Sequence, residues 1–521
     1  MKLHTIIHQY IPEATPIDLE SMEHDFFSYY KVQTDSRACD PRSFFVPLQG
    51  ERFDGHQFIS EAISRGCAGY FYEPEKHTPK VLASCSPVAV PNILSAYQVL
   101  GHVYRKTVLV QTKLVAISGS CGKTTVKELL KITLSRFGSV SATLANENNE
   151  IGVVKTILNT PADTDFLICE MGMRNKNDLE RLVWLASPNI SVLTCVTESH
   201  LSCVTNIDEV YEGKMRLFSS APEAYWLGPA NDSKIMAQLL THPGRHKSFC
   251  FTTDTNDRFP AMGSVILTDY NIDFNRLETQ VVAQLDHPQV FTQQQKISLS
   301  VSSIHSKAAE NLAITLGCAM ILLGGKVLEL HGKKLVFPGI DGRYQLWRAK
   351  GVRLIDDAYN ACPLSMRSGL FSVFGLCAQL LLSHSPLQLT LVLGDMLELG
   401  DREELAHFEL GGWIKAHFHT VIHKIELSFI LCGPLSSDHL SKGLGDEICH
   451  AATIHSFRTA SDILTSPQWD KLAMSLHFQV SCQEPNMLPK QHVVFLKASH
   501  GSRVHQLTRD LLTKTPELQI S

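Results

Sequence analysis

The feature that most limits how this chain folds is a strand, a tight glycine turn and a helix in immediate succession. Leu114-Val-Ala-Ile117 is a short apolar run, Ser118-Gly-Ser-Cys-Gly-Lys-Thr-Thr125 is the turn, and Lys123 to Phe137 has helical periodicity. In that order the backbone N–H groups of the turn and the positive end of the helix form a cradle for phosphate oxygens. Gly119, Ser120, Cys121, Gly122, Lys123, Thr124 and Thr125 are the candidate phosphate-binding residues, Lys123 for the outer phosphates and the Thr124 hydroxyl for Mg²⁺. The full P-loop pattern has a glycine where Ile117 stands, so the shorter G-x-x-G-K-T form is present. It predicts nucleotide binding and leaves the reaction open.

At 521 residues the chain is too long for one core, and roughly 150 residues per domain predicts about three domains. From Asp35 to Tyr72, short β-rich pieces such as Phe44-Phe45-Val46 surround a helical stretch from Phe58 to Ser64, which reads as a small α/β unit. A helix around Ile93 to Tyr104 follows. Beyond the glycine turn, strand candidates Phe166–Cys169 and Ile190–Val196 alternate with helical Asp178–Ala186, the order of βαβ crossovers and a mainly parallel sheet. Ser264 to Val301 alternates polar and apolar residues like antiparallel strands, and a helix from Lys307 to Leu323 closes the unit. Past Pro338-Gly339 a third unit carries strand candidates Val352–Ile355, Leu389–Leu393, Phe429–Cys432 and Val493–Leu496. The fold class expected is therefore α/β in three domains: 1–109, a small N-terminal α/β domain; 110–333, a central P-loop domain with a mainly parallel sheet; and 334–521, a Rossmann-like α/β domain. Ser436–Glu447 and Ser481–Gln491 read as loops.

Bulk properties remove other function classes. A net charge of -5 and a pI near 6.6 give no general attraction to nucleic acid. The 14 cysteines form no CxxC pairs, and several, such as Cys169, sit in apolar runs, which points to a reducing cytoplasm. The N-terminus is too polar for a signal sequence, and the apolar run from Leu312 to Gly324 reads as too short to cross a bilayer. A soluble cytoplasmic protein with no membrane insertion is expected.

The residues around the glycine turn narrow the reaction. In chain order come Asn146-Glu-Asn-Asn149-Glu-Ile-Gly-Val153, Glu170-Met-Gly172, His200-Leu201, Glu212-Gly-Lys214, Gly342-Arg343, Asp356-Asp-Ala-Tyr-Asn-Ala-Cys-Pro363, Leu393-Gly-Asp-Met-Leu-Glu-Leu-Gly400 with His407 after it, and Lys497-Ala-Ser499. Their order resembles the Mur ligases. The Asp-Asp-x-Tyr-Asn-Ala-x-Pro and Leu-Gly-Asp-Met-x-Glu-Leu-Gly strings look like the branch that adds D-alanyl-D-alanine. Thr34-Asp-Ser-Arg37 and Gly50-Glu-Arg-Phe-Asp-Gly-His56 look like that family's uridine-nucleotide-binding domain.

The resemblance implies an ATP-dependent, ADP-forming ligase of peptidoglycan synthesis, and hence of cell shape and division. Its substrates would be UDP-N-acetylmuramoyl-tripeptide and D-alanyl-D-alanine, and the protein would act as a monomer. It implies Lys123, Glu170, His200 and Lys214 as catalytic residues. Thr124, Glu170, His200 and Lys214, the last as a carbamate, would be metal ligands. For ATP it adds Asn311, Arg343, Asp357 and Asn360 to the glycine turn; for the uridine nucleotide Ser36, Arg37, Asp54, Gly55 and His56; for the dipeptide Lys497 and Ser499. Taken singly, those outside the glycine turn are more commonly turn, cap, core or helix-surface residues. Departures from the family pattern are Val154, Ser202, Arg216, Lys307, Cys362 and His500. Another Mur ligase, a folylpolyglutamate synthase and a non-catalytic nucleotide-binding scaffold remain alternative readings.

Overall fold

A computed structural model describes residues 1–16, 24–50, 53–79, 85–198, 206–254, 262–383, 385–418, 424–481 and 490–520. Each of the three units is built on its own sheet, as expected. The N-terminal sheet runs, edge to edge, Thr15–Pro16, Ser86–Ala89, Gly69–Tyr72, Ser43–Phe45, Lys31–Gln33. Only the Thr15–Pro16 edge is antiparallel. The helix Ile93–Thr107 then packs on Glu150–Leu158 of the next unit, where Gly101 leaves room for Val154: a Cβ on Gly101 would lie 2.9 Å from Val154 Cγ1. Val154 therefore fills an inter-domain notch.

Among the described residues the central sheet has ten strands. The strand Lys113–Ser118 lies between Phe166–Glu170 and Ile190–Leu193, all parallel. Leu114 to Ile117 are completely buried, because helices cover both faces of a parallel sheet and leave no position for a polar side chain. Tyr225–Pro229, Ser248–Thr252 and Gly263–Asp273 continue the parallel order. The Gly263–Asp273, Glu278–Asp286 and Gln295–Val301 strands then pair antiparallel, as their alternation predicts. Lys333–Leu335 adds to this edge, carrying the sheet just past residue 333.

Two helical segments, Ala308–Leu330 and Pro363–Leu381, are long and apolar enough by length and composition to cross a membrane. The first runs beyond the apolar stretch Leu312 to Gly324, which by itself is short for a bilayer. Its apolarity is explained by the fold, since Leu312, Leu316 and Met320 are completely buried in the core of the central sheet.

The third sheet has seven strands, in the order Ala452–Phe457, Ile425–Cys432, Leu387–Gly394, Gln491–Lys497, Val352–Asp356, Gln345–Ala349, Gln519–Ile520. The first five are parallel and the last two antiparallel. The expected loop at 436–447 is instead helical: a π-helical turn Ser436–Leu440 leads into Ser441–Ala451, kinked at Gly445. Leu440, Leu444 and Ile448 recur every four residues and bury one face against the helix Glu403–Phe418. The Asp395 carboxylate accepts from Ser436 N at 2.7 Å and so anchors the start of this segment. Ser481 ends the helix Pro467–Ser481 and Gln491 begins a strand, and residues 482–489 between them lie outside the described residues.

Candidate active site

The glycine turn stands at the carboxyl edge of the central sheet, where ligands of parallel α/β sheets bind. Gly119 and Gly122 have positive φ of 143° and 83°. A Cβ on Gly119 would lie 2.0 Å from Thr194 Oγ1, so only glycine fits there. Neighbouring strand ends hold the turn: Ser120 N donates to Cys195 O at 2.9 Å, Ser120 Oγ to Thr197 O at 3.0 Å and Thr194 Oγ1 to Cys121 O at 2.5 Å. Lys123 Nζ folds back onto Gly119 O at 2.7 Å. Thr124 is buried in the first turn of the helix Lys123–Leu134.

Glu170 ends the strand beside Lys113–Ser118, in register with Ile117. Its Oε1 accepts from Asn148 Nδ2 at 2.9 Å, while its buried Oε2 has no hydrogen-bond partner among the described residues. Such an oxygen is costly unless a cation or donor arrives. Lys214, in the helix Ile207–Ser219, is 1% exposed. Burial, then the charge of Lys123, lowers its ammonium to about 7. His200 lies outside the described residues, as does Ser202. Arg216, the other departure here, pairs with Glu180 and Glu212 on the surface.

The third domain closes the cleft from the opposite side. One continuous cavity is lined by Ser120, Cys121, Gly122, Thr125 and Asn311 from the central domain and by Arg343, Asp357 and Asn360 from the third. The candidate ATP residues from two distant stretches of chain thus meet. Asn311 stands at the foot of the glycine turn, its Oδ1 3.2 Å from where a Cβ on Gly122 would be. The Arg343 guanidinium stacks on Tyr359 at 4.0 Å, and its buried Nε has no partner among the described residues, leaving a cation available to an anion. Asp357 accepts from Tyr344 N at 3.1 Å and from Lys497 Nζ at 2.5 Å. Lys497 also reaches Asn360 O at 3.3 Å, and Ser499 Oγ accepts from Leu397 N at 2.9 Å. Both candidate dipeptide residues are therefore engaged in joining loops of the third domain. Two further hydrogen bonds clamp the domains, Ser306 N to Ser372 Oγ at 2.7 Å and Ser306 Oγ to Ser368 O at 3.0 Å.

The cavity also has walls that no motif marks. His305, Tyr344 and Gln345 line it. His305 is pushed down to about 4 by burial, so it is a neutral ring at physiological pH. Its Nδ1 accepts from Lys307 N at 3.0 Å, and its ring meets Tyr344 edge-on at 4.9 Å. Lys307 itself pairs with Glu310 at 2.7 Å. His500 stacks on His505 at 4.6 Å.

In the first domain the candidate uridine-site residues are held by local bonds. Ser36 Oγ donates to Glu61 Oε2 at 2.6 Å. Arg37 is exposed and makes a two-pronged contact with Asp35, at 2.9 and 2.8 Å, which lowers the Asp35 carboxyl to about 2. His56 Nε2 accepts from Glu73 N at 3.1 Å, so its Nδ1 carries the proton donated to Asp54 at 2.7 Å. A Cβ on Gly55 would lie 2.5 Å from Leu48 O, so Gly55 serves a close backbone crossing.

Comparison with known proteins bears on the family and the fold. The Mur ligase middle domain matches residues 117–319 and the Mur ligase family catalytic domain residues 28–114. A Bacillus subtilis protein named UDP-N-acetylmuramoyl-tripeptide–D-alanyl-D-alanine ligase is 28% identical over 78% of this chain and 81% of its own length. A Synechocystis protein of the same name is 29% identical over 74% and 76%. The fold is shared with MurF ligase from Thermotoga maritima in complex with ADP, at a TM-score of 0.71 and 22% identity, covering 95% of this chain and 99% of that one. MurF from Acinetobacter baumannii gives a TM-score of 0.70 at 21% identity, covering 96% and 99%. With two family domains matched in order and relatives of one name aligned along most of its length, the chain belongs to the Mur ligase family.

Proposed function

We propose that this protein joins D-alanyl-D-alanine to UDP-N-acetylmuramoyl-tripeptide, with cleavage of ATP to ADP and phosphate, in peptidoglycan synthesis. The observation that supports this most is the cleft itself, in which the glycine turn and Asn311 face Arg343, Asp357 and Asn360 across one cavity. A carboxylate resists direct attack by an amine because oxide would have to leave. Transfer of the γ-phosphoryl group to a carboxylate oxygen, with ADP leaving, gives an acyl phosphate. The dipeptide amine then attacks the acyl carbon, and the amide forms as phosphate departs. The protein's part is to position, neutralise charge and exclude water.

In this reading Lys123 and the backbone of Gly119 to Thr125 hold the outer phosphates, and Arg343 meets them from the third domain. Asp357 and Asn360 receive the ribose side, and Asn311 the base. Thr124 and Glu170 suit a hard cation, because a hydroxyl and a carboxylate oxygen without a partner are the donors Mg²⁺ takes. Lys214 and His200 would complete that set. A Lys214 held near neutrality presents a free amine, which adds CO₂ with loss of a proton to give a carbamate oxygen ligand. Bound Mg²⁺ would offset negative charge on the transferring phosphoryl group. Ser36, Arg37, Asp54, Gly55 and His56 are assigned to the uridine nucleotide, Arg37, exposed and paired with Asp35, being the cation that would meet a diphosphate. Lys497 and Ser499 are assigned to shaping the loops that receive the dipeptide. The protein works as a cytoplasmic monomer, without nucleic acid and without membrane insertion.

Phosphate release from ATP with Mg²⁺ tests the reading. Release that requires both the UDP-linked tripeptide and D-alanyl-D-alanine supports it. Release indifferent to either substrate would leave a nucleotide hydrolase instead, and no release under any condition a binding scaffold.

A further inference from the structure

Cys121 and Cys362 bring their Sγ atoms within 3.2 Å of each other from opposite walls of the nucleotide cleft, across 241 residues of sequence. Cys121 lies in the glycine turn and is partly exposed in the cleft, which both residues line. Cys362 is the N-cap of the helix Pro363–Leu381. We propose that these two thiols are a reversible modification site, at which a peroxide-class oxidant joins the domains by a disulfide and shuts the nucleotide out.

The geometry needs little adjustment, since sulfurs already in contact must approach by only about 1 Å to bond. The chemistry is set by Cys362. Contact with the Cys121 thiol, together with the Ser365 hydroxyl and backbone N–H at the start of the long helix, holds the Cys362 thiol below the usual thiol range, while contacts with the Cys195 and Cys362 sulfurs and burial raise Cys121. Cys362 as thiolate attacks the peroxide; an S–O bond forms as O–O breaks, and the departing oxygen leaves as water. The Cys121 sulfur then attacks the sulfenic sulfur, S–S forms, S–O breaks, and a second water leaves with the Cys121 proton. Two thiols and one peroxide become one disulfide and two waters. A dithiol reverses the step by exchange.

The consequence follows from position. The cross-link would tie the phosphate turn to the loop carrying Asn360, across the space that the phosphates enter. Cys195 also lines the cleft, its sulfur meeting Cys121 O at 3.7 Å and its thiol interacting with the Cys121 thiol, but it belongs to the same domain as Cys121, so a bond between those two would not join the domains. Another close pair, Cys67 and Cys85 at 3.6 Å, lies in the core of the first domain, away from the cleft. Blocking of nucleotide entry rests on the functional reading above, whereas the disulfide itself does not.

The test oxidises the full-length protein with hydrogen peroxide, maps its peptides by mass and measures ATP binding before and after dithiothreitol. Expected is a joined peptide pair containing Cys121 and Cys362, two hydrogens lighter than its parts, with ATP binding lost in proportion to the fraction joined and regained on reduction. Cys362→Ser should remove the joined pair and keep the oxidised-to-reduced binding ratio near one, while Cys195→Ser should still form the pair. Absence of that peptide pair, or equal loss of binding in oxidised Cys362→Ser, would overturn the proposal. If the pair forms but the reduced protein binds no ATP, the nucleotide reading fails and the thiol pair stands.

Discussion

Lys497 Nζ lies 2.5 Å from Asp357 Oδ2, and the two side chains are 2% and 10% exposed. A pair so enclosed matters more for what happens when it is broken than for its own net contribution. Lys497→Met should leave the Asp357 charge uncompensated and lower unfolding free energy by about 3–5 kcal/mol. The double variant Lys497→Met with Asp357→Leu should recover most of that stability in urea titrations without recovering ATP binding. A double variant as unstable as the single one would show that the loss is one of packing.

Glu170 separates function from folding. Its buried oxygen, without a hydrogen-bond partner among the described residues, is a cost to the fold, so Glu170→Gln should leave the urea midpoint unchanged or raised. The same change should lower kcat by about a hundredfold or more if a charge-stabilising contact at the phosphoryl group is lost. Lys123→Ala should act in the same way on kcat, with near-normal stability.

Two glycines on one helix should respond oppositely to alanine. A Cβ on Gly411 would lie 2.4 Å from Leu440 O, whereas nothing stands within 4 Å of one on Gly412. Gly411→Ala should therefore cost about 2 kcal/mol by forcing the helices Glu403–Phe418 and Ser441–Ala451 apart. Gly412→Ala should gain roughly 0.5–1 kcal/mol from helix propensity alone. Thermal unfolding of the two variants beside wild type reads both signs.

Acid should weaken the third domain through His492, which is completely buried between strands and meets Thr390 Oγ1 at 3.0 Å. Burial lowers its imidazole to about 3 from an ordinary 6.5. Between these values the unfolded chain binds a proton that the folded chain refuses, so stability is lost as pH falls from about 6.5 toward 3. His305, lowered to about 4, adds to the same limb. His492→Gln should flatten the dependence of unfolding free energy on pH in this window, and an unchanged slope would assign it to other groups.

The sheets were readable in the sequence where burial is simple. Leu114–Ile117 is apolar throughout because both faces are covered, and Glu278–Asp286 and Gln295–Val301 alternate because one face is less covered. The helix at 436–451 was hidden because serine, aspartate and glycine surround the few apolar residues that set its period. The cleft was legible as separate motifs and not as a site. Nothing local tells that Lys497 is committed to Asp357, that His305 and Gln345 wall the cavity, or that Cys121 meets Cys362, since the first depends on neighbouring strands of the third sheet and the others on segments of two domains brought together.

The most direct test of the central claim is the mass of the product formed from UDP-N-acetylmuramoyl-tripeptide, ATP and Mg²⁺ with D-alanyl-D-alanine or with single amino acids as acceptor. The account predicts a gain of one dipeptide less water, formed with D-alanyl-D-alanine and with no single amino acid. A product carrying a single amino acid would contradict the assigned acceptor, and no product with any acceptor would contradict the ligase reading.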